Sequence, residues 1–241
     1  MNIKALNPAA RIAISGFCLS VLMGLIYAML AIIMSINGGE TLVPSLDKVQ
    51  QKYAGIMIVS AMQGSMYEHV SEDESIEAVR QWVEAGTPES TYESHIVEIM
   101  NDDCTNCHSI GSTMTEAMTS IPLTTYQEVI QTTTKGQPWS KIAIQTHTHL
   151  FAMSLLVVIL GFTLSFTQIF SWIKYLLISF AFLGLWGDAL SWTLAKYFAF
   201  VGYLIPFTGA MLTGAMAAMA AIILLDCWVK VPLITELAGE K

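Results

Sequence analysis

Charge is scarce in this sequence. Asp, Glu, Lys and Arg make up only 12% of its 241 residues, against about 25% in ordinary soluble domains. Basic residues are scarcer still, 11 against 19 acidic, which gives a formal net charge of −8. That sign disfavours a nucleic-acid binder, which needs a cationic face for the phosphate backbone. No segment alternates polar and apolar residues as a half-buried strand would. Internal repeats and low-complexity tracts are missing too. The polar part of the chain carries no hydrolase triad, glycine-rich phosphate loop or nucleotide signature, so most enzyme classes find no support. Cysteine is sparse, four in all, and two of these fall in strongly apolar surroundings.

What is abundant is apolar sequence, 54% of the chain, and it is clumped. Residues 12–36, 150–170, 175–194 and 198–225 are long hydrophobic runs whose one charge is Asp188. About 20 apolar residues in a helix span a bilayer core, so four transmembrane helices are predicted. The first run is longer than a signal-peptide core of about 7–15 residues, and no small-x-small cleavage site follows it. It reads as an uncleaved anchor.

Basic residues orient the helices. Lys4 and Arg11 precede the first, Lys174 lies between the second and third, and Lys230 and Lys241 follow the fourth. Only Lys196 falls on the other side. By the positive-inside rule both ends are cytoplasmic and the polar segment of about residues 37–146 faces outward. In a bacterial inner membrane that side is the periplasm. The chain divides accordingly into an anchor at 1–36, an outer domain at 37–146, a three-helix bundle at 147–229 and a cytoplasmic tail at 230–241.

The outer domain holds 15 acidic and 5 basic residues. This excess of ten acidic residues is larger than the whole net charge of −8, and it suits either plain solubility or the docking of a basic partner. Its patterning is helical. Ser45 is an N-cap for a periodic run over 46–69. Residues 71–75 open a second helix to about Ala85, ended by Gly86. Thr87-Pro88-Glu89 starts a third, which carries Ile96, Val97, Ile99 and Met100 toward a core and runs up to Cys104. A short helix follows near 124–131. Gly136-Gln-Pro138 then breaks the chain before Trp139.

Within this domain lies Asn101-Asp-Asp-Cys-Thr-Asn-Cys-His-Ser-Ile110. Cys-x-x-Cys-His is the signature of covalent haem attachment. Two thiols add to the two vinyl groups of a porphyrin edge, and the next residue supplies an imidazole to the iron. Three other readings are weaker. A zinc site needs a second ligand pair, and Cys18 and Cys227 lie in apolar runs near the cytoplasmic side. A thioredoxin-like dithiol needs a strand-to-helix context. A disulfide between Cys104 and Cys107 would be strained.

At these residues the chain resembles the c-type cytochromes. An apolar helical stretch, His95-Ile-Val-Glu-Ile-Met100, leads into Cys104-Thr-Asn-Cys107-His108, and Pro122-Leu-Thr-Thr-Tyr-Gln-Glu128 is similar to the Leu-x-x-Tyr segment that follows the motif in bacterial monohaem domains. The resemblance covers 40 to 50 residues. It implies one covalent haem c, thioethers at Cys104 and Cys107, and His108 as the proximal iron ligand. For the sixth position the candidates are His147 or His149, then Met114 and Met118, then His95 and His69; Met153 is set apart by its apolar run. An empty sixth position is the remaining case. The fold expected is all-α: four transmembrane helices, with a small helical c-type cytochrome domain inserted between the first two.

The second unusual stretch is Gln145-Thr-His-Thr-His149, opening the second apolar run. Two histidines two apart point to different faces of a helix. Interfacial capping is one reading, a second metal or haem at His147/His149 another. His-x-His-Leu before an apolar helix resembles the metal-binding helices of haem–copper oxidases and related membrane cytochromes, although the other histidines of those families have no counterpart here. Asp188 is an intramembrane carboxylate, costly and therefore a functional candidate, either as a hydrogen-bonded partner of His147 or His149 or in proton or quinone chemistry. Its plain alternative is a bond to Ser191 or Trp192. Ala210, Gly214 and Ala218 form a small-residue stripe suited to helix packing, within this chain or against a partner subunit. The methionines of this run read as core or lipid contacts, and Cys18 and Cys227 as buried free thiols.

These readings converge on electron transfer between a membrane redox complex and a periplasmic partner, rather than on a catalytic subunit. Other membrane redox subunits, a basic soluble carrier and lipid are the partners implied. A quinol-oxidising subunit is the alternative, followed by a non-catalytic haem-containing assembly or sensor subunit.

Overall fold

The computed structural model describes residues 2–37, 43–115 and 117–229; Lys230, Lys241 and the tail at 230–241 lie outside the described residues. A 3₁₀ turn at Ile3–Ala5 precedes α1 (Pro8–Asn37), α2 (Leu46–Ala54) and α3 (Met57–Met62). A 3₁₀ turn at Tyr67–His69 leads to α4 (Asp73–Glu84). Next, α5 (Glu89–Thr91), a π turn at Tyr92–Ile96 and α6 (Val97–Asp103) run on from one another. After α7 (Tyr126–Val129) come α8 (Trp139–Ser165), α9 (Ser171–Ala195), a 3₁₀ segment at Ala199–Leu204 and α10 (Ile205–Trp228). Among the described residues the sole β feature is an antiparallel bridge between Ile56 and Lys135.

The chain forms two compact units. One comprises the described parts of Met1–Ala31, Trp139–Leu194 and Tyr203–Lys241; the other comprises Ile32–Pro138 and Ala195–Gly202. The segment 195–202, read from sequence as membrane bundle, thus belongs with the polar unit. Its side chains explain why: Lys196 Nζ donates to the carbonyl of Gln137 at 3.0 Å and Gln50 Nε2 to that of Ala199 at 3.3 Å.

In the first unit α1, α8, α9 and α10 are long and apolar enough to cross a membrane. This is a membrane protein built on four such helices. Their shared core takes Cys18 from α1, Leu160 and Leu164 from α8, Leu185 from α9, and Met216 and Met219 from α10. Large side chains such as Ile12, Met23, Phe162 and Leu183 face outward, as a lipid surroundings requires. Helix α8 begins at Trp139, eight residues before the bundle boundary read from sequence.

The tight seam is not where the small-residue stripe suggested. Ala210 and Gly214 are exposed, and a Cβ at Gly214 would meet nothing within 4 Å. The close approach lies on α9 instead. A Cβ at Gly184 would come within 2.6 Å of the Leu212 amide nitrogen, and one at Gly187 within 2.9 Å of the Thr208 methyl. Either face offered small residues; the larger apolar side chains of α10 decided which face turned inward.

Polar groups gather at one end of this unit. Lys4 pairs with Asp226 at 3.1 Å, and the same carboxylate accepts the Gln168 backbone N–H at 3.0 Å. The Arg11 guanidinium donates to the Cys227 carbonyl and lies 4.4 Å over the Trp228 ring. Lys174 donates to the carbonyls of Thr167 at 2.7 Å and Ser165 at 3.1 Å. Helix ends leave carbonyls without intrahelical partners, and these cations satisfy them.

In the second unit α3, α4, the π turn, α6 and α7 share one small core. The run 46–69, expected as one helix, breaks at Gly55, where the backbone becomes extended (φ −76°, ψ −180°). The break lets residues 55–57 pair with 134–136: Met57 N–H donates to the Thr134 carbonyl at 3.1 Å, and Gly136 N–H to that of Gly55 at 2.8 Å. On α4, Ile76, Val79 and Trp82 are buried while Glu74, Glu77 and Glu84 are exposed, an amphipathic spacing. Ile96, Ile99 and Met100 bring the next helical run onto the same core.

Gly184→Ala is expected to cost about 1–3 kcal/mol through overpacking, and Gly214→Ala less than about 0.5 kcal/mol. Thermal unfolding of the two variants in detergent checks this; equal losses would contradict the seam.

Candidate functional site

Helix α6 delivers the motif. Its last turn ends at Asp103, and the chain then makes one further turn: the N–H groups of Cys107 and His108 both donate to the Cys104 carbonyl, at 3.2 and 2.9 Å. Met100, fully buried, anchors that turn from below. Cys104 is buried, Cys107 and His108 are half-buried, and both thiols are free.

The loop that follows folds back onto the motif. Met118 N–H donates to the Cys107 carbonyl at 3.0 Å and Leu123 N–H to the His108 carbonyl at 2.8 Å. Between these two anchors the Ile121 carbonyl lies 2.8 Å from His108 Nδ1. A carbonyl only accepts, so Nδ1 carries the proton and Nε2 keeps its lone pair. Pro122 follows directly, and a residue before proline is held to extended backbone. The return arm is secured in turn by a capping box. Thr125 caps α7, and Glu128 accepts from the N–H groups of Thr124 at 2.9 Å and Thr125 at 3.0 Å and from the Thr124 hydroxyl at 2.7 Å. The Thr124 hydroxyl bond, ahead of the remaining bonds, holds the Glu128 carboxyl below its ordinary range.

Burial pushes the Cys104 thiol up from 9.0 to about 11, and the neighbouring Asp103 and Cys107 add to the rise. Cys104 is therefore a neutral thiol at physiological pH rather than an activated thiolate, which is the wrong state for a dithiol exchange site.

A covalent haem asks for two free thiols two residues apart, a following imidazole with one nitrogen held and the other open, and apolar surface to cover. The first two conditions are met by Cys104, Cys107, His108 and the Ile121 carbonyl. For the third, Ile110, Met114, Met118 and Ile121, all within the motif and the loop behind it, are exposed, Ile110 by 78%. Exposed apolar patches of this kind mark binding surfaces. The residues present fit the group.

Of the sixth-ligand candidates, two are brought to the motif. Met114 Sδ lies 3.7 Å from Cys107 Sγ, and Met118 is tied to the Cys107 carbonyl through its backbone. His95 is exposed on the π turn, and His69 is exposed beside Glu68, 3.6 Å away. His147, His149 and Met153 belong to the membrane unit.

The two histidines of α8 do splay. His147 meets Phe151, ring centroids 5.5 Å apart, and His149 meets Trp192 edge-on at 5.0 Å. His149 Nδ1 lies 3.0 Å from the Gln145 carbonyl. Among the described residues neither joins a group of three or more His, Cys, Asp or Glu side chains placed to hold a metal ion. Asp188 is buried and takes the Thr208 hydroxyl at 3.4 Å, with Trp192 as a further side-chain partner. Trp192 thus touches both His149 and Asp188. Thr208 went unnoticed in the sequence because a hydroxyl in an apolar run gives no signal. Asp226 was overlooked because the apolar run was closed one residue short of it.

Fold and helices together define an all-helical membrane protein. Residues 113–232, just under half of the chain, match the model of a family described as a transmembrane helical domain. The match begins five residues past His108, so the motif lies outside it. No curated protein and no solved structure matches the chain.

In the haem-free chain, alkylation of Cys104 is expected to rise about tenfold per pH unit, following the thiolate fraction, and to level off near pH 11. The stability that its buried neutral thiol contributes is complete below about pH 9 and is lost as pH rises toward 11. A labelling plateau reached by pH 9 would show the thiol exposed.

Proposed function

We propose that the chain is a membrane-anchored c-type cytochrome, an electron-transfer protein of a bacterial inner membrane whose haem domain faces the periplasm. The observation that carries this reading is the His108 ring, fixed through Nδ1 by a backbone carbonyl and open at Nε2, directly after two free thiols at haem-attachment spacing. Metal-bound histidines are typically held in this way. Cys104 and Cys107 would hold the porphyrin by thioethers, His108 would ligate iron, and the exposed side chains of Ile110, Met114, Met118 and Ile121 would supply apolar surface for the group. When bound, the haem would supply a one-electron couple whose potential depends on the sixth ligand; Met114 and Met118 are the candidates nearest the motif in the fold.

Sidedness is supported by the gathering of Lys4, Arg11 and Lys174 at one end of the membrane unit. The connection from α1 to α8 then emerges on the opposite side. Glu74, Glu77 and Glu84 of α4, with Glu93, Glu98 and Asp102 of the run leading to the motif, are exposed. Such a surface favours a basic electron carrier and makes its docking salt-dependent. Other redox subunits in the membrane are the natural second partner.

The purified protein, made with a c-type maturation system, should give a c-type pyridine haemochrome at one haem per chain that resists acid–acetone extraction. Cys107→Ala should reduce covalent retention sharply, and His108→Ala should leave a haem with altered axial ligation. A chain that matures without haem would refute the reading.

A further inference from the structure

One group of large apolar side chains is explained neither by the helix core nor by the motif. In the second unit Tyr197 is 66% exposed, Phe198 54% and Phe200 66%. The two phenylalanine ring centroids lie 6.2 Å apart. Leu46 of α2 is exposed as well. It stands one turn before Gln50, on the same helix face, and the Gln50 side chain reaches the Ala199 carbonyl. Exposed apolar patches mark surfaces that meet another apolar phase.

The backbone behind these rings is held closely. Val201 and Gly202 are buried. A Cβ at Gly202 would come within 3.0 Å of Gln50 Cα, and one at Gly136 within 3.3 Å of Lys196 Cα. Lys196 donates to the Gln137 carbonyl across the same contact. One side of the segment 195–202 is thus fixed to the second unit, and the other side presents the aromatic rings.

Three observations point to what covers the rings. The segment connects α9, which ends at Ala195, to α10, which begins at Ile205, and both helices are long and apolar enough to cross a membrane. On α10, Phe207 and Trp228 are exposed near the two ends. At ~1.5 Å per residue they stand about 31 Å apart, close to the ~30 Å of a hydrocarbon core. Residues 196–204 then fall just past the hydrocarbon edge, at the headgroup level, where aromatic side chains concentrate. The third observation is charge. No Asp or Glu occurs between Asp188 and Asp226, so the acidity that would draw a basic protein is missing here.

We propose that residues 196–202, with Leu46 beside them, form an interfacial foot, whose Tyr197, Phe198 and Phe200 side chains rest at the boundary between lipid headgroups and acyl chains. The second unit is then bound to the bilayer surface through its own side chains, in addition to its covalent links to the spanning helices. The inference rests on the membrane assignment and does not depend on a haem.

Photocrosslinking of the full chain in phosphatidylcholine nanodiscs tests this. Phe198→p-benzoylphenylalanine and Phe200→p-benzoylphenylalanine should each give phospholipid adducts on irradiation, read by mass spectrometry. The same probe at Glu84, exposed on the acidic face of α4, should give none. Adducts only to a second copy of the chain overturn the proposal in favour of a protein interface. No adduct at either position places the segment in water, and lipid labelling equal to that at Glu84 shows it to be nonspecific; both overturn it too. Should the substituted chains fail to assemble, hydroxyl-radical oxidation of the unsubstituted protein in the same nanodiscs decides. Tyr197 is more exposed within the protein than Tyr67, 66% against 38%, so in water it would be oxidised more. A bilayer over the foot reverses that order, and Tyr197 oxidised more than Tyr67 sinks the idea.

Discussion

The hydrogen bond between His108 Nδ1 and the Ile121 carbonyl ties together three pieces of chain that are otherwise loosely related. It joins the end of α6, the loop behind it and the return arm leading to α7. The two backbone bonds on either side, from Met118 to Cys107 and from Leu123 to His108, make the loop a strap closed over the motif turn. Remove the central bond and the imidazole is free to rotate and to change tautomer, while the two backbone bonds still hold the strap. Two free thiols, a preset imidazole and the exposed Ile110, Met114, Met118 and Ile121 occur together here, and the proposed function rests on that coincidence rather than on any one residue.

The membrane unit obeys a different constraint. In lipid polar groups need partners within the protein, and several of the described polar side chains are arranged accordingly. One end is closed by Lys4, Arg11, Lys174 and Asp226 against helix-terminal carbonyls and one another. Deeper toward the other end, Asp188 is enclosed by Thr208 and Trp192, next to a seam where Gly184 and Gly187 allow α9 and α10 to touch. The seam and the carboxylate are linked: Gly187 admits the Thr208 methyl, and the hydroxyl of that threonine reaches Asp188. Four helices are more than a tether requires, and the exposed small residues Ala210 and Gly214 show that the close-packing capacity of α10 is not used up inside this chain.

Much of the architecture was legible in the sequence. Runs of 25 or so uncharged residues can only be spans, and the periodicity of Ile76, Val79 and Trp82 marks a helix face without ambiguity. The Cys-x-x-Cys-His spacing stood out in the sequence as a candidate for haem attachment. What escaped notice depended on three-dimensional choice. Gly55 breaks a helical pattern because a distant segment, 134–136, pairs with it. The acceptor for His108 is a backbone carbonyl, and any residue at position 121 would supply one. Two small-residue faces competed for the helix seam, and nothing local told them apart.

The central claim is that Cys104, Cys107 and His108 form a haem attachment turn. Its most direct test is the intact mass of the protein produced with and without a c-type maturation system, followed by peptide mapping. The account predicts an increment of one haem, dependent on maturation and confined to the peptide that spans Cys104 to His108. An unmodified chain under maturing conditions, or an increment elsewhere, would contradict it.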